Sequence, residues 1–119
     1  MSGMDIKLLS QRLRDFAAVR DWDKFHTPKN LAISISTEAS ELLELFQWSR
    51  GTFDWSDLDD AAFKGRVEEE VADVLLYLLR FADCAGIDLE QAALKKLSMN
   101  AAKYPVEQFK GSDRKYNED

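Results

Sequence analysis

Glu38 interrupts the apolar stripe of a helix, and a chain that does this has few ways to fold. On a wheel of about 100° per residue, Leu31, Ile35, Leu42 and Leu45 form one stripe and Glu38 falls inside it. Glu41 lies about 60° to one side, and Glu44 farther out. An unpaired carboxylate in a core costs several kcal/mol, so it must be protonated, paired or bound to a cation. A second acidic motif, Glu70-Val71-Ala72-Asp73, follows Glu68 and Glu69 on another apolar helix. There Val67, Val71, Val74 and Leu78 make the stripe, and Glu70, Asp73 and Tyr77 line one edge of it. Residues three apart on a helix point the same way. Each motif therefore presents two carboxylates together, and two such helices packed face to face gather four. Four carboxylates share a site only if something positive neutralises them.

Helix signals dominate the rest of the chain. The first helix spans Met4 to Arg20, with Ile6, Leu9, Leu13, Phe16 and Ala17 on one face. An aromatic connection, Asp21 to Thr27, carries Trp22, Phe25 and His26. Thr27-Pro28, a capping residue before a proline, starts the second helix, which is expected to reach Trp48. A polar loop, Arg50 to Asp60, holds Gly51, Phe53 and Trp55. The third helix begins near Asp60 and ends at Ala85, with Gly86 as its left-handed terminator. Asp88 caps the fourth helix, which stops by Tyr104 because Pro105 follows. No segment alternates in the manner of a strand. The expectation is an all-α bundle of four to five helices, residues 1–108, with a polar, mobile tail, residues 109–119. The third helix is apolar on more than one face, through Val71, Val74, Leu75, Leu76, Leu78, Leu79 and Phe81. One small domain cannot cover a helix on all sides, so this helix is expected in the interface of a homodimer or larger oligomer.

Composition narrows the function. The 119 residues carry a formal net charge of −6, which argues against a nucleic-acid polymer as partner, since polymer binding needs a basic surface. One nucleotide is a different matter, because a metal and a few basic residues can hold it. The single cysteine, Cys84, is expected as packing and fits a reducing, cytoplasmic setting. No leader-type apolar segment precedes Ser10, and Asp73, Arg80 and Asp83 break up the apolar run Val71–Ile87, so no membrane span is expected.

Glu44, Glu68 and Glu69 read as solvated helix faces. For Glu38, pairing with a Lys or Arg across the bundle and a metal site both satisfy the chemistry. Were a metal present, oxygen-only donors would favour Mg²⁺, with Mn²⁺ as a substitute. The sole histidine, His26, lies outside both motifs, which argues against the Glu-x-x-His pattern of di-iron bundles. Mg²⁺ keeps waters and bridges to substrate phosphates.

Several motifs then align. Trp22-Asp23-Lys24-Phe25-His26, Glu38-x-x-Glu41, Phe46-Gln47-Trp48, Glu70-x-x-Asp73-Val74-Leu75-x-Tyr77 and Lys96-x-x-x-Asn100-x-x-x-Tyr104-Pro105 follow one another in order, and Arg114-Lys115-Tyr116 closes the series. In order and spacing the chain resembles the all-α nucleoside triphosphate pyrophosphatases, within the MazG-like branch that holds the dCTP pyrophosphatases. The resemblance implies Mg²⁺-dependent hydrolysis of a deoxynucleoside triphosphate, dCTP or a modified form of it, to the monophosphate and pyrophosphate. It implies Glu38, Glu41, Glu70 and Asp73 as metal ligands. It implies a nucleotide pocket lined by Trp22, Asp23, Lys24, Phe25 and His26 with Trp48 and Tyr77, and Lys96, Asn100 and Tyr104 approaching sugar or phosphates. Glu41, with Glu38 beside it, is the expected group that orients or deprotonates the attacking water. The chain departs from the pattern at Leu13, where some dCTP-preferring relatives carry a histidine, so the base preference stays open. The rival expectation is a non-catalytic helical oligomer that senses nucleotides.

Overall fold

A computed structural model describes residues 3–48 and 55–118; the expectations for Gly51 and Phe53 fall outside these. Among the described residues five helices follow one another: α1 (Ile6–Val19), α2 (Pro28–Glu44), α3 (Ala61–Ala85), α4 (Leu89–Lys103) and α5 (Val106–Phe109). Single 3-10 turns lie at Asp23–Phe25 and Ser56–Asp59, and no strand occurs among the described residues. The all-α class expected from sequence is met. The chain divides into two compact units, Met1–Gly86 and Ile87–Asp119.

Caps set most of the helix ends. Asp5, not foreseen as a cap, accepts the amide of Leu8 at 3.0 Å and starts α1. Thr27 accepts from Asn30 at 3.2 Å ahead of Pro28. Asp60 caps α3 and Asp88 caps α4 through their carboxylates, each satisfying an amide that the helix leaves free. Gly86 ends α3 at φ 69°, left-handed backbone that a side chain would strain.

The end of α1 sets the path of the aromatic connection. Trp22 N–H bonds to Ala17 C=O at 2.9 Å and Asp21 N–H to Ala18 C=O at 3.1 Å. This pair of bonds is a Schellman closure, with Asp21 in the left-handed position at φ 56°. Asp is one of the few residues besides glycine that tolerates that geometry. The turn folds Trp22 back against Phe16, ring centroids 5.6 Å apart and edge to face, while the Arg20 guanidinium lies 3.6 Å over the Phe16 ring.

Where α2 stops differs from expectation. The sequence predicts helix as far as Trp48, but regular α-helix ends at Glu44. Leu45, Phe46 and Gln47 then bond to carbonyls three residues back instead of four, which breaks the register that would have aligned Trp48 with Glu41. Phe46 packs edge to face on Phe63 of α3 at 5.5 Å.

Within the first unit α3 is the central helix, packed chiefly on α2 and also on α1. Ala17, Leu31, Leu79 and Ala82 are the fully buried hydrophobic residues among those described. The three helices meeting here contribute small or branched side chains, and the core they form is thin. The outer face of α3 leaves Val71 49% and Leu78 40% exposed.

In the second unit the C-terminal segment, polar and mostly exposed, makes contacts of its own. Arg114 donates to the carbonyls of Gln108 and Glu118 at 3.0 and 2.9 Å, and its guanidinium lies 4.7 Å over Phe109. Tyr104 meets both Phe109 and Tyr116 edge on. Aromatic residues within the polar tail supply the apolar area that holds it.

Candidate functional site

α2 and α3 carry the two acidic motifs to one place. Glu38, Glu41 and Glu70 each place a carboxylate oxygen within 4.8 Å of the others. Glu38 sits on the packed side of α2, two turns along from buried Leu31, so the anomaly on the helical wheel is real. Oε2 of Glu38 and Oε2 of Glu70 are buried and find no hydrogen-bond partner. Glu38 is pushed up to about 7 by a hydrogen bond shared with Glu41, then by burial and by the charges of Glu41, Asp73 and Glu70. Glu70 is raised as well, first by burial and then by the charge of Glu41. Asp73 contributes to both shifts and so belongs to the same charged neighbourhood. Glu44, Glu68 and Glu69 are exposed, as solvated faces should be.

Two buried, unpartnered carboxylate oxygens are costly. Three to four acids, all oxygen donors, on two packed helices are the donor set a hard divalent cation takes. The residues present fit such an ion. No lysine or arginine is bonded to Glu38 or Glu70 among the described residues, which removes the cross-bundle ion pair expected as the rival.

Beside this cluster lies a cavity of about 240 Å³ lined by Leu13, Phe16, Ala17, Trp22, His26, Asp73, Leu76, Tyr77 and Arg80. Asp73 is shared between the acids and the cavity, which joins the two into one site. Of the aromatic segment, the structure brings Trp22 and His26 to the cavity, together with Tyr77. It turns the others away. Asp23 accepts from Arg80 at 2.7 Å, Lys24 pairs with Asp21 at 2.8 Å, and Phe25 is 57% exposed beneath the Lys24 ammonium. The 3-10 turn at Asp23–Phe25 is the reason, since three residues in so tight a turn project in three directions. Trp48, 84% exposed, does not line the cavity either, because of the early end of α2. Lys96 and Asn100 lie on α4 and Tyr104 is its C-cap, all in the second unit. Cys84, expected as packing, is exposed.

Arg80 is the residue that sequence reasoning misses. It is 7% exposed, flanked by buried Leu79. Its Nε donates to Nδ1 of His26 at 2.9 Å and its terminal nitrogen to Asp23 at 2.7 Å. Asp83 stands 3.6 Å away and is itself gripped by Arg14 through two bonds of 2.7 and 3.1 Å. The Arg14 bond holds the Asp83 carboxyl below its ordinary range. The signal in the sequence is a cation inside an otherwise apolar run, at the face shared by Asp73, Tyr77 and Arg80 (positions i, i+4, i+7). Read from the sequence, that cation serves only to exclude a membrane span. In agreement, no helix among the described residues is long and apolar enough to cross one.

A bundle in which two helices pool carboxylates beside an aromatic cavity defines a class, and the chain belongs to it: the MazG-like family, whose model matches residues 33–118. The chain is similar to dCTP pyrophosphatase 1 of Homo sapiens, 42% identical over 108 residues, 87% of this chain and 61% of that protein. The Mus musculus dCTP pyrophosphatase 1 is 39% identical over 104 residues, with the same shares covered. The chain thus spans about three-fifths of the length of these curated relatives. A crystal structure of a pyrophosphatase from Archaeoglobus fulgidus superposes with a TM-score of 0.78 at 47% identity, covering 88% of this chain and 96% of that one.

Proposed function

We propose that the chain is a Mg²⁺-dependent nucleoside triphosphate pyrophosphohydrolase that converts a deoxynucleoside triphosphate, dCTP or a modified dCTP, to the monophosphate and pyrophosphate. The observation that carries this reading is the pair of orphaned, buried carboxylate oxygens of Glu38 and Glu70 next to an aromatic cavity. A triphosphate is an anion, and an acidic cluster repels it unless a cation stands between. Glu38, Glu41, Glu70 and Asp73 would hold Mg²⁺, or Mn²⁺ in its place. Bound there, the cation supplies neutralisation of the charge that develops on the phosphates and on departing pyrophosphate.

The chain's own residues do the rest. Glu41 orients the attacking water and accepts its proton. The water oxygen bonds to the α-phosphorus, and the bond from that phosphorus to the α–β bridging oxygen breaks in line, releasing pyrophosphate. No serine or cysteine nucleophile is required. The faces of Trp22 and Tyr77 would stack on the base, worth about 1–3 kcal/mol per base in single-strand systems. A cavity of about 240 Å³ suits one flat heterocycle. Roles for Lys24, Phe25, Trp48, Lys96, Asn100 and Tyr104 rest on the resemblance alone. The relatives' printed names support dCTP as the substrate. The thin core and the exposed Val71 and Leu78 of α3 support a homo-oligomer that covers this helix.

The deciding experiment is a panel of deoxynucleoside and ribonucleoside triphosphates with Mg²⁺ and product identification. Pyrophosphate and monophosphate are expected, with dCTP leading. Orthophosphate alone would mean that the bond broken is the wrong one. Glu70→Gln and Asp73→Asn are expected to lower turnover at least about 100-fold with helical circular dichroism intact, as loss of a preorganised electrostatic group does. Nucleotide binding without turnover would favour a sensing module instead.

A further inference from the structure

We propose that Arg80 is a positioning residue that sets base preference by locking His26 in the tautomer that carries its proton on Nε2. The inference rests on the nucleotide reading of the cavity. A guanidinium has five donors and no acceptor. Its Nε–H meets Nδ1 of His26 at 2.9 Å, so Nδ1 must be the bare nitrogen and Nε2 the protonated one. Arg80 cannot swing away, because it is buried and braced by Asp23 at 2.7 Å and by the Asp83 carboxylate at 3.6 Å. Asp83 is fixed in turn by Arg14. One buried cation on α3 thus sets both the ring state of His26 and the direction of Asp23, two residues of the connection between α1 and α2.

The neutral state of the ring follows from its surroundings. Burial first, and the Arg80 charge second, hold His26 below its ordinary range, against the opposing pull of Asp23. The ring lines the cavity with Trp22, Tyr77 and Leu13. Leu13, Phe16, Ala17 and Leu76 offer no side-chain hydrogen bonds, so the His26 N–H, held in a fixed place, is one of the few polar groups a base can meet there, beside those of Trp22, Asp73, Tyr77 and Arg80. A polar site rejects a ligand that leaves its donor unpaired. Cytosine places two acceptors side by side, its bare N3 and its O2. Thymine and uracil share the O2 acceptor but carry a proton on N3, so a donor that meets the base at N3 pairs with cytosine and faces a proton in the other two. Arg80, itself part of the cavity wall, therefore favours cytosine over the other pyrimidines by way of the His26 ring.

His26 is the sole histidine, so a two-bond ¹H–¹⁵N correlation spectrum of the labelled full chain reads its ring directly. The expected wild-type spectrum at neutral pH shows Nε2 protonated and Nδ1 bare. Arg80→Met keeps the stem and removes the donors. It is expected to give a tautomer mixture and to lower the ratio of kcat/KM for dCTP over dTTP by about 3- to 10-fold, the worth of one hydrogen bond, through KM more than kcat. Arg80→Lys keeps the charge but not the fork, and is expected to lose the ratio as well, which covers the case where the methionine variant fails to fold. A wild-type ring protonated on Nδ1 overturns the proposal. So does an unchanged dCTP-to-dTTP ratio in either folded variant. If the wild type hydrolyses no triphosphate, the pyrophosphohydrolase reading fails. The ring spectrum then still judges the tautomer, and cytidine against thymidine titrated onto the ring signals judges the preference.

Discussion

Replacing Glu38 by Gln should make the metal-free protein more stable and its response to Mg²⁺ weaker, two effects of opposite sign. The side chain keeps its shape, so packing on α2 is preserved. What changes is charge. Carboxylate oxygens of Glu38, Glu41 and Glu70 lie within 4.8 Å of one another. At that separation two unit charges repel by about 1 kcal/mol in water and about 3.5 kcal/mol at an effective dielectric of about 20. Solvent reaches the cluster, so about 1–2 kcal/mol of relief is expected at alkaline pH, where all three acids would otherwise be ionised. For a chain of this size that raises Tm by about 3–10 °C. The pH dependence has a fixed sign. The Glu38 pKa in the folded chain, about 7, lies above its ordinary 4.5. The proton it holds stabilises the fold fully below about 4.5, and that contribution is lost as pH rises through about 7. The Gln variant should therefore match wild type near pH 4.5 and exceed it above pH 7. Wild type in excess Mg²⁺ should recover the difference, with a Tm increment that grows over the same interval. The assay is differential scanning fluorimetry with and without Mg²⁺ across that range, alongside pyrophosphate release. A metal-free Gln variant no more stable than wild type at alkaline pH, or one that Mg²⁺ stabilises equally well, would refute the account of the cluster.

Three further outcomes test the fold. Leu79→Ala, at a position 1% exposed in the centre of α3, should cost about 2–5 kcal/mol in urea unfolding, and a cost under about 1 kcal/mol would mean that the core lies elsewhere. Gly65→Ala meets open space inside α3 and should add about 0.5–1 kcal/mol to the same measurement; a loss instead would place a second subunit against that face. Asp83→Asn should be less stable than wild type at neutral pH, because Arg14 holds the Asp83 pKa below its ordinary 3.8 and the ionised form stabilises the fold above that value. The deficit should close as pH falls through the folded Asp83 pKa, and a deficit that persists in strong acid would point to lost packing instead of lost charge.

The helices are legible in the sequence because their signals are local. Thr27-Pro28, Asp60, Asp88 and Gly86 act through bonds to residues two to four positions away, so reading neighbours suffices. The acids are legible for a related reason. A carboxylate on the stripe with Leu31 and Ile35 conflicts with burial whatever packs opposite. The end of α2 escapes a local reading because nothing nearby marks it: no Gly or Pro stands between Leu42 and Trp48, and the turn there accompanies the Phe46–Phe63 contact. The contacts of the tail escape it too, because Phe109 and Tyr116 gain their value from Tyr104 and the Arg114 side chain, which composition does not reveal.

From the sequence alone came the all-α class, the starts of α2, α3 and α4 and the two pairs of acids, since periodicity and capping are properties of neighbouring residues. Only the folded chain decided which aromatic residues reach the cavity. It also revealed Arg80, whose partners His26 and Asp23 lie 54 and 57 residues away along the chain. A buried charge announces that it needs a partner, but which partner it meets is settled by how the helices cross.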